Sequence, residues 1–355
     1  MSRRQFLGLA SAAALAMSGC SAGGSSTGGG STGGGVSSSG STTSSEQAST
    51  SASANTTQQE RTLFVFDTVV TLKCFCSEGL MDRAVDRCYY FEEHFSRTLE
   101  GSDIWNVNHA SGKPVQVAPE TADIVGKALT YCERSDGLFD ITIGAVTSLW
   151  DFQKGVKPED AAIKEAVRHI DYRGVHVNGD SIQLDDPQAA LDLGGIAKGY
   201  IADDLAVLFR EGGCMSGIIN LGGNVYVIGA RPDGSPWNVG IQDPNGVDQQ
   251  IIAKVSCTDA SVVTSGLYER AFEQDGVRYY HILDPKTGYP VMTDLVSSSV
   301  FGKSSIDGDA YATWMFLLGC DAALALIEST PGLDALVVDE DGHIAMTRNA
   351  HFELV

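Results

Sequence analysis

The stretch from residue 21 to residue 59 limits which part of this 355-residue chain can fold. It consists almost entirely of Gly, Ser, Thr and Ala, and Glu46 is its only charged residue. Such a composition cannot bury an apolar core and predicts a flexible tether, with an end-to-end distance on the order of 35 Å. We therefore divide the chain into residues 1–20, a tether over residues 21–60, and a single folded domain over residues 61–355.

The first 20 residues, MSRRQFLGLASAAALAMSGC, have the basic start, apolar middle and small-residue end of an export signal. The adjacent Arg3 and Arg4 match a twin-arginine (Tat) address. Met17 to Cys20 resembles a bacterial lipobox, with Cys20 as the residue that carries the lipid. We expect an exported lipoprotein, held by palmitate-type chains on the extracytoplasmic face of the bacterial cell membrane. A plain secretory signal and an uncleaved anchor remain alternatives, although the apolar stretch is short for a bilayer span.

Acidic residues dominate the charge: 45 Asp and Glu outnumber 24 Lys and Arg, for a net charge of −21. No basic tract occurs in the sequence, which argues against nucleic-acid binding, because that binding depends on Lys and Arg at the phosphates. An anionic small ligand would need a local positive source, such as a lysine, backbone amides or a metal ion. Of the eight cysteines, those after Cys20 show no CxxC pair and no zinc-like spacing, so buried free thiols are expected.

The pattern of apolar residues predicts an α+β fold of mixed, mostly antiparallel sheet with packed helices. Strands in the second half are short and linked as hairpins, and helices interrupt them in blocks, unlike a strictly alternating parallel sheet. A bent strand or hairpin is expected over residues 63–76, and a hairpin with an Asn-Gly turn over residues 174–185. Helices are expected over residues 78–97, 119–137, 158–169, 196–210, 308–319 and 321–330.

The segment SSIDGDAYATWMFLLG, residues 304–319, places Asp307 and Asp309 just before a strongly apolar run. Asp is a favoured helix N-cap, because its carboxylate accepts hydrogen bonds from the orphan amides of the first turn. Positions i and i+4 share one face of a helix, so Asp309 and Thr313 can also direct two oxygens at one cation. Asp307 lies about 200° round the helix from Asp309 and is the better candidate for the cap. The local pattern favours capping over a metal site, and both interpretations stay open at this point.

Two other segments carry groups that suit an anionic ligand. In LDLGGIAKGYIADDL, residues 191–205, a strand ends near Asp192, two glycines follow, and Lys198 lies in the first turn of a helix. Amides at a helix N-terminus and a lysine suit an anion, although a tight turn and a solvated lysine explain the same pattern. Residues 262–290 contain His281 and Asp284, which are either proton acceptors or ordinary residues of a strand end and a turn.

Six segments occur in an order that resembles the ApbE family, whose members are FAD:protein FMN transferases. They are FDITIGAVTSLWDF (139–152), LDLGGIAKGY (191–200), INLGGNVYVIG (219–229), VVTSGLYERAF (262–272), YYHILDPKTGYP (279–290) and GDAYATWMFLLG (308–319). FDTVVTL (66–72) and FSRTLEGSDIWNVN (95–108) extend the resemblance over nearly all of residues 64–340. The chain departs from the family at Phe66-Asp67, where Met-Gly is common, and at Gly194-Gly195, where Ser-Gly or Ser-Ala is frequent.

The resemblance implies a single ApbE-like domain, related to the T-fold, and a Mg²⁺-dependent enzyme that uses FAD as a donor. Such an enzyme transfers the FMN moiety to a threonine hydroxyl of a partner flavoprotein supplied in trans, the modification called flavinylation, and releases AMP. By the same resemblance, the metal ligands are the backbone carbonyl of Gly195 and the side chains of Asp309 and Thr313. The implied FAD contacts are Phe66, Thr98, Thr142, Ile143, Gly144, Asp192, Lys198 and Leu283.

The chemistry of these residues supports a phosphoryl-transfer site. Mg²⁺ prefers hard oxygens and is typically held by one or two carboxylates together with substrate phosphates, which fits Asp309, Thr313 and one carbonyl. Lys198 is expected to assist at the phosphoryl oxygens. His281 is the first candidate for the base that accepts the threonine proton, and Asp284 is the second. Two other functions stay open: a Mg²⁺-dependent FAD pyrophosphatase that yields free FMN and AMP, and a non-catalytic FAD-binding lipoprotein.

Overall fold

The computed structural model describes residues 57–246, 250–268 and 270–355. The expected signal, including Cys20, and nearly all of the expected tether lie outside these residues. The first strand, Thr57–Val65, begins inside the predicted tether, because it pairs along its whole length with the next strand, from Thr57↔Cys76 to Val65↔Thr68. The hairpin expected over residues 63–76 is confirmed and is longer than its apolar pattern indicated.

The strands of the described residues pair antiparallel in every ladder and form four sheets. The largest sheet has the order β1-β2-β6-β7-β10-β13-β14-β15, and the smaller sheets have the orders β16-β9-β8, β3-β5-β4 and β11-β12. In chain order the strands are β1 (Thr57–Val65), β2 (Thr68–Cys76), β3 (Val115–Gln116), β4 (Val175–Asn178), β5 (Ser181–Leu184), β6 (Gly217–Leu221), β7 (Asn224–Ile228), β8 (Trp237–Gln242), β9 (Ile251–Cys257), β10 (Ala260–Gly266), β11 (Ala271–Gln274), β12 (Val277–Tyr280), β13 (Leu295–Gly302), β14 (Asp334–Asp339), β15 (Ile344–Met346) and β16 (Phe352–Leu354).

The helices expected from the 3.6-residue apolar period form with shifted ends, and the structure adds two short helices that were not predicted, Asp103–His109 and Gly144–Thr147. They are α1 (Glu78–Phe95), α2 (Asp103–His109), α3 (Pro119–Arg134), α4 (Gly144–Thr147), α5 (Asp160–Ala166), α6 (Ala197–Glu211), α7 (Ser305–Phe316) and α8 (Cys320–Glu328). The helix expected over residues 158–169 divides into α5 and a 3-10 turn, Val167–His169. No helix among residues 57–246, 250–268 and 270–355 is both long and apolar enough to cross a membrane.

The eight-stranded sheet is covered on both faces. Helices α1, α6 and α7 pack on one face, where side chains such as Leu72, Ile219 and Tyr226 join their core. The sheet β16-β9-β8 packs on the other face, against side chains such as Ile218 and Val227. The central strands β6 and β7 are buried at every position, as expected for short apolar runs enclosed between two layers. The α+β architecture of mostly antiparallel sheet with packed helices is therefore confirmed.

The cysteines of the described residues agree with the expectation of buried thiols. All seven are free and buried: Cys74, Cys76, Cys88, Cys132, Cys214, Cys257 and Cys320. Burial raises the pKa of Cys88 and Cys132 to about 12. Cys88 and Cys132 therefore behave as small apolar core residues at neutral pH.

Candidate active site

Helices α6 and α7 lie in close contact, and the candidate site is built around this contact. A Cβ atom placed on Gly199 of α6 would lie 2.4 Å from the carbonyl oxygen of Ser305 and 2.6 Å from Cα of Ile306. The backbone of α7 cannot yield to a side chain at that distance, so position 199 requires glycine. The contact brings Lys198, in the first turn of α6, beside the first two turns of α7.

Asp309 is the buried acid at this contact, with 2% of its surface exposed. Its Oδ2 accepts a hydrogen bond from the backbone N–H of Gly199 at 2.8 Å, and its Oδ1 lies 3.9 Å from Nζ of Lys198. Within the described residues Oδ1 accepts no hydrogen bond. Because a buried carboxylate needs compensation, Gly199 and Lys198 stabilise its charge, while one oxygen remains for a ligand.

Thr313 follows Asp309 by one turn of α7 and lies against Gly195. A Cβ atom placed on Gly195 would be 3.1 Å from Oγ1 of Thr313, so the hydroxyl and the Gly195 backbone are direct neighbours. This hydroxyl makes no hydrogen bond within the part of the chain that the structure describes. The three residues predicted as metal ligands are thus brought together on two adjoining segments.

The donor set at this place consists of one carboxylate, one hydroxyl and one backbone segment. No group of three or more His, Cys, Asp or Glu side chains suited to a metal occurs in the described ranges. Hard oxygens with a single carboxylate are nevertheless what Mg²⁺ uses when substrate phosphates complete its shell. The unpartnered oxygens of Asp309 and Thr313 therefore fit a Mg²⁺ ion that binds together with a phosphate-bearing ligand.

Asp192 is held by three groups from different parts of the chain. Its Oδ2 accepts from the hydroxyl of Thr147 at 2.7 Å and lies 3.0 Å from Nε of Arg97, and its Oδ1 accepts from the N–H of Gly194 at 2.8 Å. These contacts fix the turn that leads to Gly195. They also bring the end of α1 to the site, so the loop that carries Thr98 lies near Asp192.

The segment with Thr142, Ile143 and Gly144 runs beside residues 190–192. Ile143 forms a parallel bridge with Ala190, and a Cβ atom on Gly144 would lie 2.3 Å from the carbonyl oxygen of Ala190. Thr142 is buried, and its hydroxyl donates to Oδ1 of Asp140 at 2.6 Å. The Thr142 side chain is therefore occupied within the protein, and the segment faces the Asp192 turn through its backbone.

His281 lies near two cations, Arg270 and Lys198. Its backbone N–H donates to the carbonyl oxygen of Arg270 at 3.1 Å, and its buried Nδ1 has no hydrogen-bond partner in the described residues. Burial, with Arg270 and Lys198 nearby, lowers the pKa of His281 to about 3, against an opposing effect of Asp192. The imidazole is therefore neutral at physiological pH and free to accept a proton. β12 ends at Tyr280, so His281 and Asp284 both lie beyond the end of the strand.

The other predicted residues lie around this group. Phe66 occupies the β1–β2 turn with a φ of +57°, and its N–H donates to Oε2 of Glu92 at 2.5 Å. Thr98 is exposed in the loop after α1. Leu283 is buried in an apolar cluster with Val146 and Trp150.

Asp284 caps a turn. Its Oδ1 accepts from the N–H of Lys286 at 2.8 Å, and its carbonyl oxygen accepts from the N–H of Gly288 at 2.7 Å. One oxygen of this carboxylate is thus used to hold the turn.

The expectation that Asp307 caps α7 is wrong. Ser304 is the N-cap, and its hydroxyl accepts from the N–H of Asp307 at 3.3 Å. Asp307 lies inside the first turn and accepts a hydrogen bond from the hydroxyl of Tyr131 at 2.6 Å. Serine is as good a cap as aspartate, so the choice between them depended on where the chain enters the helix.

Sequence reasoning missed four polar residues that organise the site: Arg97, Thr147, Asp203 and Arg270. Arg97 and Thr147 bind Asp192, and Arg270 lies near His281 and donates to the carbonyl oxygen of Asp67 at 3.4 Å. Arg97, Thr147 and Arg270 fall within segments already singled out as motifs. Nothing in their local pattern distinguishes them from surface residues, because their partners are far away in sequence.

Known proteins resemble this chain over most of its folded domain. The family model that matches is the ApbE family, over residues 66–337. A protein of Treponema pallidum (strain Nichols) named FAD:protein FMN transferase is 40% identical over 252 residues, which are 66% of this chain and 70% of that protein. A protein of the same name from Klebsiella pneumoniae (strain 342) is 34% identical over 275 residues, 76% of this chain and 85% of that protein.

Solved structures show the same fold. The ApbE protein of Thermotoga maritima superposes with a TM-score of 0.76 at 30% identity, covering 82% of this chain and 97% of that one. The flavin transferase ApbE from Vibrio cholerae superposes with a TM-score of 0.72 at 26% identity, with the same coverage. The chain therefore belongs to the ApbE family. It is an enzyme of the transferase class.

Proposed function

We propose that this enzyme transfers the FMN moiety of FAD to a threonine hydroxyl of a partner protein and releases AMP. The observation that carries the proposal is the convergence of Asp309, Thr313 and Gly195 with Lys198 at the contact of α6 and α7. Relatives that share this fold are named FAD:protein FMN transferase. In the reaction, the threonine Oγ forms a bond to the phosphorus on the FMN side, and the pyrophosphate P–O bond to AMP breaks.

Mg²⁺ fits the donor set, and Asp309, Thr313 and the backbone carbonyl of Gly195 are the residues that would hold it. The ion would supply charge neutralisation at the phosphoryl oxygens. Lys198 contributes a second positive charge, since its ammonium lies on the open side of Asp309. In a chain with a net charge of −21, this local cation is what allows a pyrophosphate to approach.

His281 is the group we assign to the threonine proton. A pKa of about 3 makes it a weak base in the ligand-free protein. The pyrophosphate of FAD, bound beside Lys198 and Arg270, would offset the two cations that contribute to this low pKa. Substrate binding would thus remove the part of the pKa depression that comes from the two cations and leave the larger part, which comes from burial.

The segments around Asp192 are the ones we assign to FAD. Arg97, Thr147 and Gly194 fix its carboxylate, so the turn before Gly195 is preorganised for the dinucleotide. The remaining FAD contacts that we propose are Phe66, Thr98, the 142–144 segment and Leu283. Asp284 remains the second candidate for the base.

One experiment tests the proposal against its two alternatives. The purified chain is incubated with FAD, Mg²⁺ and an acceptor flavoprotein that carries an exposed threonine, and AMP is measured by chromatography. Flavin fluorescence that stays with the denatured acceptor supports transfer, and an acceptor with that threonine changed to alanine is the control. Free FMN with AMP in place of labelled acceptor would indicate a pyrophosphatase. FAD that stays intact would indicate a binding protein.

We also propose that the enzyme is exported and anchored through Cys20, on the twin-arginine and lipobox-like patterns of residues 1–20. The acceptor would then be a membrane or extracytoplasmic flavoprotein. Labelled palmitate should enter the wild-type chain in cells and not the Cys20→Ala variant. Equal labelling of both chains would contradict the anchor.

A further inference from the structure

Asp203 joins the two helices of the site at the start of α7. It lies on α6, one turn after Gly199, and its carboxylate reaches the first residues of α7. Oδ1 accepts the N–H of Ser305 at 2.9 Å, and Oδ2 accepts the N–H of Ile306 at 3.0 Å. A carboxylate from one helix therefore caps the next helix in a bidentate manner.

This cap satisfies donors that have no other acceptor. The N–H groups of Ser305, Ile306 and Asp307 precede the first intrahelical bond of α7, which runs from Gly308 to the carbonyl oxygen of Ser304, and the Ser304 hydroxyl accepts only the Asp307 N–H. Asp203 accepts the remaining two. The start of α7 is enclosed by protein, because Ser305 is fully buried and its hydroxyl donates to Oδ1 of Asn224 at 2.7 Å. Water is thus a poor replacement for the carboxylate.

The position of this cap controls the position of Asp309 and Thr313. Ser305, Asp309 and Thr313 are spaced four residues apart, so they follow one face of α7. Gly199 holds Asp309 at 2.8 Å, and Asp203 holds the turn before it. Two consecutive turns of α6 therefore fix the rotation and the axial position of α7 relative to Lys198.

We propose that Asp203 is a positioning residue for the metal site, which keeps the open oxygens of Asp309 and Thr313 in register with Gly195. This inference rests on the proposed function, because it assigns the ion that these oxygens bind. Asp203 itself touches neither the ion nor FAD. Its role requires the ionised carboxylate, because a protonated carboxyl group or an amide offers only one good acceptor oxygen to the two N–H donors.

The surroundings of Asp203 disfavour its ionised form. Burial, with Asp307 of α7 nearby, raises its pKa to about 6, against the two backbone hydrogen bonds and Lys127 of α3. With a pKa of about 6 the carboxylate is still mostly ionised at pH 7, as its two N–H donors require.

The test compares Asp203→Asn and Asp203→Ser with Asp204→Asn. Asp204 is the matched control, because it lies next to Asp203 on α6 but binds Arg87 at 2.8–2.9 Å. Amide hydrogen exchange of the α7 start reports the cap directly. Mn²⁺, titrated alone and followed by its electron paramagnetic resonance signal, reports the metal site without catalysis. FAD binding in metal-free buffer reports the rest of the site.

In both Asp203 variants we expect the Ser305 and Ile306 amide hydrogens to exchange with solvent about tenfold faster than in wild type. We expect Mn²⁺ to bind about tenfold more weakly. Both changes correspond to the loss of about one charge-assisted hydrogen bond. FAD binding and the Asp204→Asn protein should stay within about twofold of wild type. The Mg²⁺ concentration needed for half-maximal AMP release should rise while the KM for FAD stays the same.

Wild-type Mn²⁺ affinity in folded Asp203→Asn or Asp203→Ser protein would overturn the positioning role alone. A wild-type chain that binds Mn²⁺ neither alone nor together with inorganic pyrophosphate would overturn the metal requirement and the positioning role together. AMP release from FAD without any divalent ion would do the same, and would leave the transferase assignment standing. The serine variant keeps one oxygen acceptor on a shorter side chain. If the asparagine variant does not fold, amide exchange and Mn²⁺ binding are measured on the serine variant.

Discussion

The backbone N–H of Gly199 donates to Oδ2 of Asp309 at 2.8 Å, and the contact between α6 and α7 at this point leaves no room for a side chain at position 199. One hydrogen bond thus couples the packing of α6 on α7 to the orientation of the buried carboxylate. Helix packing and the chemistry of the carboxylate therefore depend on the same few atoms at this site.

Gly199→Ala should destabilise the protein by about 1–3 kcal/mol, because a Cβ there forces backbone atoms of α7 to move. AMP release should fall in the same variant, since Asp309 moves with α7. Gly126→Ala is the matched control: it adds the same methyl group to α3, where nothing lies within 4 Å. That control should be neutral or more stable by about 1 kcal/mol. Urea unfolding measures both, and equal stability of the two variants would contradict the close contact.

Asp309→Ala should lower the rate of AMP release by about a hundredfold or more, because a transition-state charge interaction is lost. FAD should still bind, since the contacts proposed for its other parts lie on the Asp192 turn and its neighbours. Asp307→Asn changes an acid two residues away that bonds to Tyr131, and it should keep nearly full activity. Normal AMP release from Asp309→Ala at limiting Mg²⁺ would refute the ligand role. Rates are followed by chromatography at saturating FAD.

His281 should make the protein less stable at acidic pH. Its pKa is about 3 in the folded chain and near 6.5 in the unfolded chain, so below pH 6.5 only the unfolded chain binds the proton. This contribution to the free energy of unfolding is present above pH 6.5 and is lost as the pH falls towards 3. In His281→Asn that part of the pH dependence should disappear. Unfolding titrations at pH 7 and pH 4.5 measure it, and parallel pH profiles of the two proteins would contradict the low pKa.

Arg97→Ala should raise the KM for FAD by about fivefold to tenfold with little change in kcat, because it frees Asp192 without touching the reacting atoms. Arg173→Ala is the control, since Arg173 forms an exposed pair with Asp171 at 2.7 Å and should leave the kinetics unchanged. Steady-state AMP release at varied FAD separates the two parameters. A loss confined to kcat would place Arg97 at the chemical step and would count against the positioning of Asp192.

Local pattern was sufficient where neighbours in sequence make the structure. The β4–β5 hairpin and the long helices follow from apolar period and turn residues, although the two-residue turn is Gly179-Asp180 and not Asn178-Gly179. For residues 63–76 the pattern left a bent strand and a hairpin open. The alignment of Asp309 with Thr313 follows from helical spacing alone. The α+β class follows from the order of these elements, and the ordered motifs added the family. Helix ends were less accurate, as Ser304 and the divided segment at residues 158–169 show, because caps depend on where the chain enters a helix.

Tertiary structure decided everything that joins distant segments. Asp203 meets Ser305 and Arg97 meets Asp192 only because the sheet and its helices bring them together, whereas Arg270 meets His281 at the open end of the β11–β12 hairpin. The low pKa of His281 arises from burial and from cations on other elements. Sequence by itself determined which elements form and which oxygens share a helix face, since those depend on short-range geometry. Long-range packing decides which carboxylate caps a helix, which one is held by neighbouring side chains and which one keeps an oxygen free for a ligand. Only the folded chain shows these differences.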